Sequence, residues 1–146
     1  MPRNEIDNRT PGTPEEWMAR AHGSYALAKS GKSEGVFLED LCFQAQQAAE
    51  KAVNAVLISR QIIFRYVHDL DELLAAAAKT GIEIPQKVRK SVELTDYAFQ
   101  TRYPGNYEPV TEGEYGEALE AAEQVLAWAE SVIAGQPPSE APSQKR

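Results

Sequence analysis

A single cysteine, Cys42, rules out an intrachain disulfide framework. Histidine is nearly as scarce, with only His22 and His68, and neither CxxC nor HExxH spacing occurs, so no metal and no other cofactor is expected. No Gly-rich stretch precedes a helix in the form that cradles phosphate. Lysine and arginine number 15 against 22 acidic residues, a formal charge of -7. That balance argues against a general nucleic-acid binder, whose phosphate affinity comes mainly from cations, although a local basic patch stays open. The apolar runs are too short to span a membrane, and no basic segment leads into an apolar one at the start, so no membrane partner is expected and the cytoplasm is the default location. No run alternates apolar and polar residues strictly enough to read as a strand.

What is present is helical. A chain of 146 residues, 42% hydrophobic and 25% charged, suits one globular domain. Met1–Gly12 is polar and aperiodic and is read as a flexible arm. Thr13-Pro14-Glu15-Glu16 then supplies a hydroxyl cap, a proline at the first helical position and a glutamate at the third. The first helix should run from Pro14 to about Lys29. A second, about Val36 to Ser59, carries the strongest pattern: Leu38, Leu41, Cys42, Ala45, Ala49, Ala52, Val53 and Val56 form one thin stripe. Gln46, Gln47, Glu50, Lys51 and Asn54 are expected to fall largely away from it. A third helix begins near Asp69 and stops at Gly81. Pro85 opens a fourth, with Val88, Val92, Ala98 and Phe99 as its expected buried residues, and Pro104 ends it. A second capping box, Thr111-Glu112-Gly113-Glu114, opens the fifth, which turns Tyr115, Ala118, Leu119, Ala122, Leu126, Ala129 and Ile133 inward until Gly135. The expected fold is all-α, a compact up-and-down bundle of about five helices over residues 13–135. The Pro/Ser-rich residues 136–146 read as a disordered tail.

Four stretches resemble the HEPN family (higher eukaryotes and prokaryotes nucleotide-binding) in order and approximate spacing: "CFQAQQAAEKAVNAVL" (Cys42 to Leu57), "HDLDELL" (His68 to Leu74), "RYP" (Arg102 to Pro104) and "EALEAAEQVLAWAE". The resemblance covers about Trp17 to Ala134. It implies a helical bundle that commonly dimerises. Many such proteins are metal-independent RNases, often toxins paired with a small nucleotidyltransferase antitoxin, while others bind nucleotides or RNA or act as scaffolds. The RNase members share an arginine followed, after four to six residues, by a histidine.

That chemistry needs a base for the ribose 2'-hydroxyl and a cation for the scissile phosphate, which histidine and arginine supply. Counting on from Arg102, the window falls on Tyr107, Glu108 and Pro109, and none is histidine. Glu108 is a conceivable substitute base. Seven residues separate Arg60 from His68 and two separate Arg65 from it, so neither completes the motif. His68 reads first as a cap or packed turn residue, with ligand contact and catalysis behind, and His22 as structural. Cys42, on the apolar stripe, reads as core.

Candidate ligand or partner contacts are Arg102, Tyr103, Asn106, Tyr107 and His68, with Gln46, Gln47 and Lys51 on the polar side of the second helix. For these last three the competing reading is a solvated or dimer-lining face with a Gln47–Lys51 contact. Lys87, Arg89 and Lys90 form a basic cluster, and Arg60, Arg65 and Arg102 come from helix ends that could converge. The preferred reading is a non-catalytic homodimer that binds nucleotide, RNA or a protein partner and is paired with a small nucleotidyltransferase. Its rivals are a divergent RNase toxin using Arg102 with Glu108, Tyr107 or His68, and a purely structural assembly module.

Overall fold

The computed structural model describes residues 12–98 and 109–135. The residues read as an arm up to 11, the Arg102–Tyr107 stretch and the residues from 136 onward lie outside the described part. Among the described residues there are five α-helices and no strand: α1 (Pro14–Ala28), α2 (Leu38–Ser59), α3 (Leu70–Ala78), α4 (Gln86–Arg89) and α5 (Glu112–Ile133). A 3-10 segment, Lys90–Ala98, continues α4 directly. No helix among these residues is long and apolar enough to cross a membrane.

Local chemistry starts the helices where the caps stand. Thr13 Oγ1 accepts from the Glu16 amide at 3.0 Å, and Pro14 fills the first helical position, where no N–H is needed. Asp69 caps α3 through the Asp71 amide at 3.0 Å. At α5 both halves of the box form: Thr111 Oγ1 accepts from Glu114 N at 3.0 Å, and Glu114 Oε1 accepts from Thr111 N at 2.9 Å. Gly135, at φ 79°, follows the end of α5, a left-handed geometry that glycine adopts without Cβ strain.

The helices pack around α2, which meets α1, α3, α5 and the 3-10 segment. All eight residues of its expected stripe are buried, and so are Ala48, Ala55 and Leu57 on other sides. Alanine recurs where the neighbours press in, at Ala21 and Ala28 on α1 and at Ala118, Ala122 and Ala129 on α5. Small side chains allow axes to approach toward the short end of the usual ~8–10 Å. Two polar residues expected to fall away from the stripe are instead buried, Gln46 at 0% and Asn54 at 3% exposure. The expectation presumed a helix covered on one face, and α2 is covered on nearly all.

Two further inward faces differ from expectation for geometric reasons. From Val88 in α4 into the 3-10 segment the buried positions are Val88, Ser91 and Leu94, three residues apart, while Val92 is only partly buried. A 3-10 turn holds three residues, so i and i+3 eclipse and the burial follows that period. On α5 the core also takes Val125, Trp128 and Val132, and Leu119 and Ile133 are only partly buried. Trp128 sits inside because its indole Nε1 donates to the Glu83 carbonyl at 3.1 Å, satisfying the ring's one polar atom.

The end of α2 carries backbone strain. The Ile62 amide donates to Leu57 O at 2.9 Å and the Gln61 amide to Ile58 O at 3.0 Å, the paired bonds of a Schellman cap. The left-handed residue of that cap is Gln61, at φ 58°, where glycine is the usual occupant. Gln61→Gly is expected to stabilise the protein by about 1 kcal/mol, the left-handed penalty less the entropy glycine adds to the unfolded chain. Urea denaturation of the two proteins checks this, and an unchanged or lower midpoint contradicts it.

Candidate functional site

Four polar side chains that α2 and the start of α3 bring together form a closed network. Glu50, with 13% of its side chain exposed, is the centre. Its Oε1 accepts from Gln46 Nε2 at 3.1 Å, from His68 Nδ1 at 3.0 Å and, more weakly, from Gln47 Nε2 at 3.4 Å. A carboxylate only accepts, so the shared proton sits on Nδ1 of His68. Gln46 Nε2 also donates to the His68 carbonyl at 3.1 Å, and Gln46 Oε1 accepts from Gln47 Nε2 at 2.9 Å. The fully buried amide is therefore satisfied at both ends, as a buried polar group must be.

Thr95 extends the junction from the 3-10 segment. Its hydroxyl accepts from the Leu70 amide at 3.0 Å and donates to the His68 carbonyl at 3.4 Å. Gln46 and Thr95 thus fix the entry to α3 from two sides. The helix cap is Asp69, one residue on, and the His68 side chain stands 45% exposed above Glu50.

Sequence reasoning offered the Gln46 and Gln47 amides to a ligand anion. In the fold both are aimed at an anion of the chain's own, Glu50. Glu50 was missed as the organiser, although its spacing carried the signal: it lies four residues after Gln46 and three after Gln47, within helical side-chain reach. Lys51 goes elsewhere, its Nζ donating to Ser24 Oγ on α1 at 2.9 Å. The expected Gln47–Lys51 contact is thus replaced by Gln47–Glu50 and Lys51–Ser24. Asn54, one turn beyond Glu50, has no hydrogen-bond partner for its buried Oδ1 among the described residues.

Of the arginines that could have converged, Arg60 and Arg65 hold separate partners. Arg60 Nη2 donates to Val132 O near the end of α5 at 3.3 Å. Arg65 forks onto Glu72, Nε to Oε2 at 3.0 Å and Nη2 to Oε1 at 2.9 Å. Arg102, Tyr103, Asn106 and Tyr107 lie outside the described residues. His22 is half-exposed and reaches Glu130 of α5, Nε2 to Oε2 at 2.6 Å, so it ties α1 to α5.

With that geometry in place, a sequence model of the HEPN domain matches residues 14–132. The chain belongs to the HEPN family. Two solved structures are similar to this HEPN chain. TT1696 from Thermus thermophilus is 28% identical, with a TM-score of 0.71 over 82% of this chain and 97% of that one. ST0689, an archaeal HEPN homologue, is 29% identical, with a TM-score of 0.67 over 84% and 98%. No curated protein matches the chain.

The HEPN core also buries Cys42. Burial pushes its thiol up to about 12, and Glu39 and Glu114 add to the shift, while a hydrogen bond with Tyr97 opposes it. Burial likewise lifts the Tyr97 phenol to about 12, with Cys42, Glu114 and Glu117 adding to it. A thiol so held is not a nucleophile at neutral pH.

Four outcomes follow from these contacts. Replacing Glu50 by alanine leaves the Gln46 amide short of an acceptor in a buried place, at an expected loss of about 1–3 kcal/mol. In a double-mutant cycle with His68→Ala the two changes should couple by about 0.5 kcal/mol or more; strict additivity shows that the contact contributes nothing. Cys42 and Tyr97 both keep their protons in the fold beyond the pH at which the unfolded chain releases them. Their contribution is therefore whole below about pH 9 and is lost as pH rises toward about 12. Far-UV circular dichroism across that range should show the loss, and Tyr97→Phe should make it shallower. At pH near 8, Cys42 should resist thiol reagents until urea is added; labelling of the native protein contradicts the burial.

Proposed function

We propose that this HEPN chain is a non-catalytic binding module that acts as a homodimer on a protein partner, with a small nucleotidyltransferase as its expected companion. The observation that carries the reading is the placement of histidine. Both histidines precede Arg102 in the chain, and each is engaged by a glutamate of another element, His22 by Glu130 and His68 by Glu50. Nothing after Arg102 offers an imidazole to complete the RNase pair. Protein is preferred to RNA as the bound class because the net charge is -7 and the exposed side of α5 is acidic. Nucleotide and RNA ligands, with Arg102, Tyr103, Asn106 and Tyr107 as contacts, are then arms of the test.

One observation favours the divergent RNase as a second reading. An imidazole held through Nδ1 by a largely buried carboxylate is the arrangement that orients a general base. In that reading His68 takes the 2'-hydroxyl proton and Arg102 stabilises the phosphate.

The two readings separate in one set of assays. Purified protein incubated with RNA in the presence of a chelator is expected to leave the RNA intact, and its expression is expected not to arrest growth. Titration calorimetry is expected to give heat with the companion protein and none with a nucleotide panel, and light scattering to give the mass of a dimer at micromolar concentration. Metal-independent cleavage that His68→Ala and Arg102→Ala both abolish, in variants that keep their helical content, establishes the RNase instead. Uniformly silent titrations reduce the protein to a structural module.

A further inference from the structure

We propose that the groove between α4 and α5 is a docking site for an extended acidic segment of a protein partner. This inference rests on the reading of the chain as a binding module and places the contact away from the Glu50–His68 network. The groove encloses about 390 Å³ and is lined by Pro85, Lys87 and Val88 on one side and Glu123, Gln124, Ala127 and Trp128 on the other. Val88 and Trp128 are nearly closed to solvent, and the Trp128 N–H already has its partner in Glu83, so the base of the groove is apolar and has no unmet donor there.

The cations beside it set it apart from the rest of the surface. Elsewhere several cations are engaged, Lys32 on the Val36 carbonyl, Lys51 on Ser24, Arg60 on the Val132 carbonyl and Arg65 on Glu72, while Arg20 and Lys79 stand singly. Lys87, Arg89 and Lys90 are all exposed and have no such partner among the described residues, although Glu123 faces Lys87 across the same groove. Lys87 lines the groove itself and Arg89 and Lys90 follow it directly in the chain, so three cations within four positions form a local field of the opposite sign in a chain of net charge -7.

The opposite wall decides the chemical class. Between residues 112 and 133, α5 carries six glutamates and no lysine or arginine. Of these only Glu123 lines the groove, and a polyphosphate chain laid along it would meet Lys87 on one side and that carboxylate on the other. An extended peptide meets both walls. Its aspartate or glutamate side chains pair with Lys87, Arg89 and Lys90, its backbone N–H groups reach Glu123, and an apolar residue covers Val88 and Ala127.

The test uses a short fluorescein-labelled peptide that alternates aspartate with leucine, followed by anisotropy against the full chain. Controls are the same peptide with lysine for aspartate and a single-stranded RNA of similar length. Wild-type protein is expected to bind the acidic peptide, more weakly as salt rises. The triple variant K87E/R89E/K90E should lose about tenfold or more in affinity. Ala127→Phe, which fills the groove without changing charge, should weaken binding as well. All four substitutions are at exposed positions, so thermal melts should match wild type. No binding of the acidic peptide, equal binding by the triple variant, or a preference for the RNA or the lysine peptide each overturns the proposal. The binding-module reading fails by a separate measurement, RNA cleavage by the wild-type protein, so the two failures are told apart.

Discussion

A helix enclosed on nearly every side has to settle its polar side chains without water, and α2 is in that position. It meets four other elements, and its buried residues recur from Leu38 onward and are continuous from Ala52 to Leu57. Enclosure at close range is what its alanines permit, since a longer side chain at Ala49 or Ala52 would push a neighbour outward against native packing density. The same enclosure dictates how Gln46 and Glu50 behave. Gln46 could not be buried unpaired without a penalty of about 1–3 kcal/mol, so the structure closes its amide onto Glu50, Gln47 and the His68 carbonyl. Holding that carbonyl also fixes where α3 begins. One polar side chain in the central helix therefore sets the direction of the chain at a junction more than twenty residues away.

What was legible in the sequence was what depends on few neighbours. Thr13, Asp69 and Thr111 act on amides two or three residues ahead, and the starts of α1, α3 and α5 fall where those residues stand. The stripe of α2 was legible for the same reason, because helical spacing is local. Its opposite side was not, because a polar residue on a helix reads as solvated unless one knows that another element lies over it. The 3-10 segment defeated the reading differently: Val88, Ser91 and Leu94 repeat at three, a period the α-helical template misses. Trp128 was passed over because its burial depends on a carbonyl supplied by Glu83, 45 residues earlier.

The candidate site was legible as a set of residues and illegible as an arrangement. Gln46, Gln47 and His68 do come together, as donors around one acceptor. The spacing of an anion site is present, and Glu50 occupies it. A ligand anion would have to displace a largely buried carboxylate held by three donors, which is harder than filling an open cradle. This is a physical reason to look for recognition away from the centre of the bundle.

The distribution of charge gives that search a direction. On α5 the carboxylates at 112, 114, 117, 120, 123 and 130 are exposed, and their field is felt on α1, where Glu123 and Glu120 help burial to raise the Tyr25 phenol. This face repels an acidic partner that approaches α5. The run from Lys87 to Lys90 interrupts it beside a groove with an apolar base, where charge can orient an incoming segment and buried area can hold it. Long-range attraction to a small basic patch on an otherwise acidic protein selects for orientation more than for strength. The rigid junction at His68 and the proposed docking surface are thus separable: one is built from side chains turned inward on α2, the other from cations on α4 and the start of the 3-10 segment that have no internal partner among the described residues.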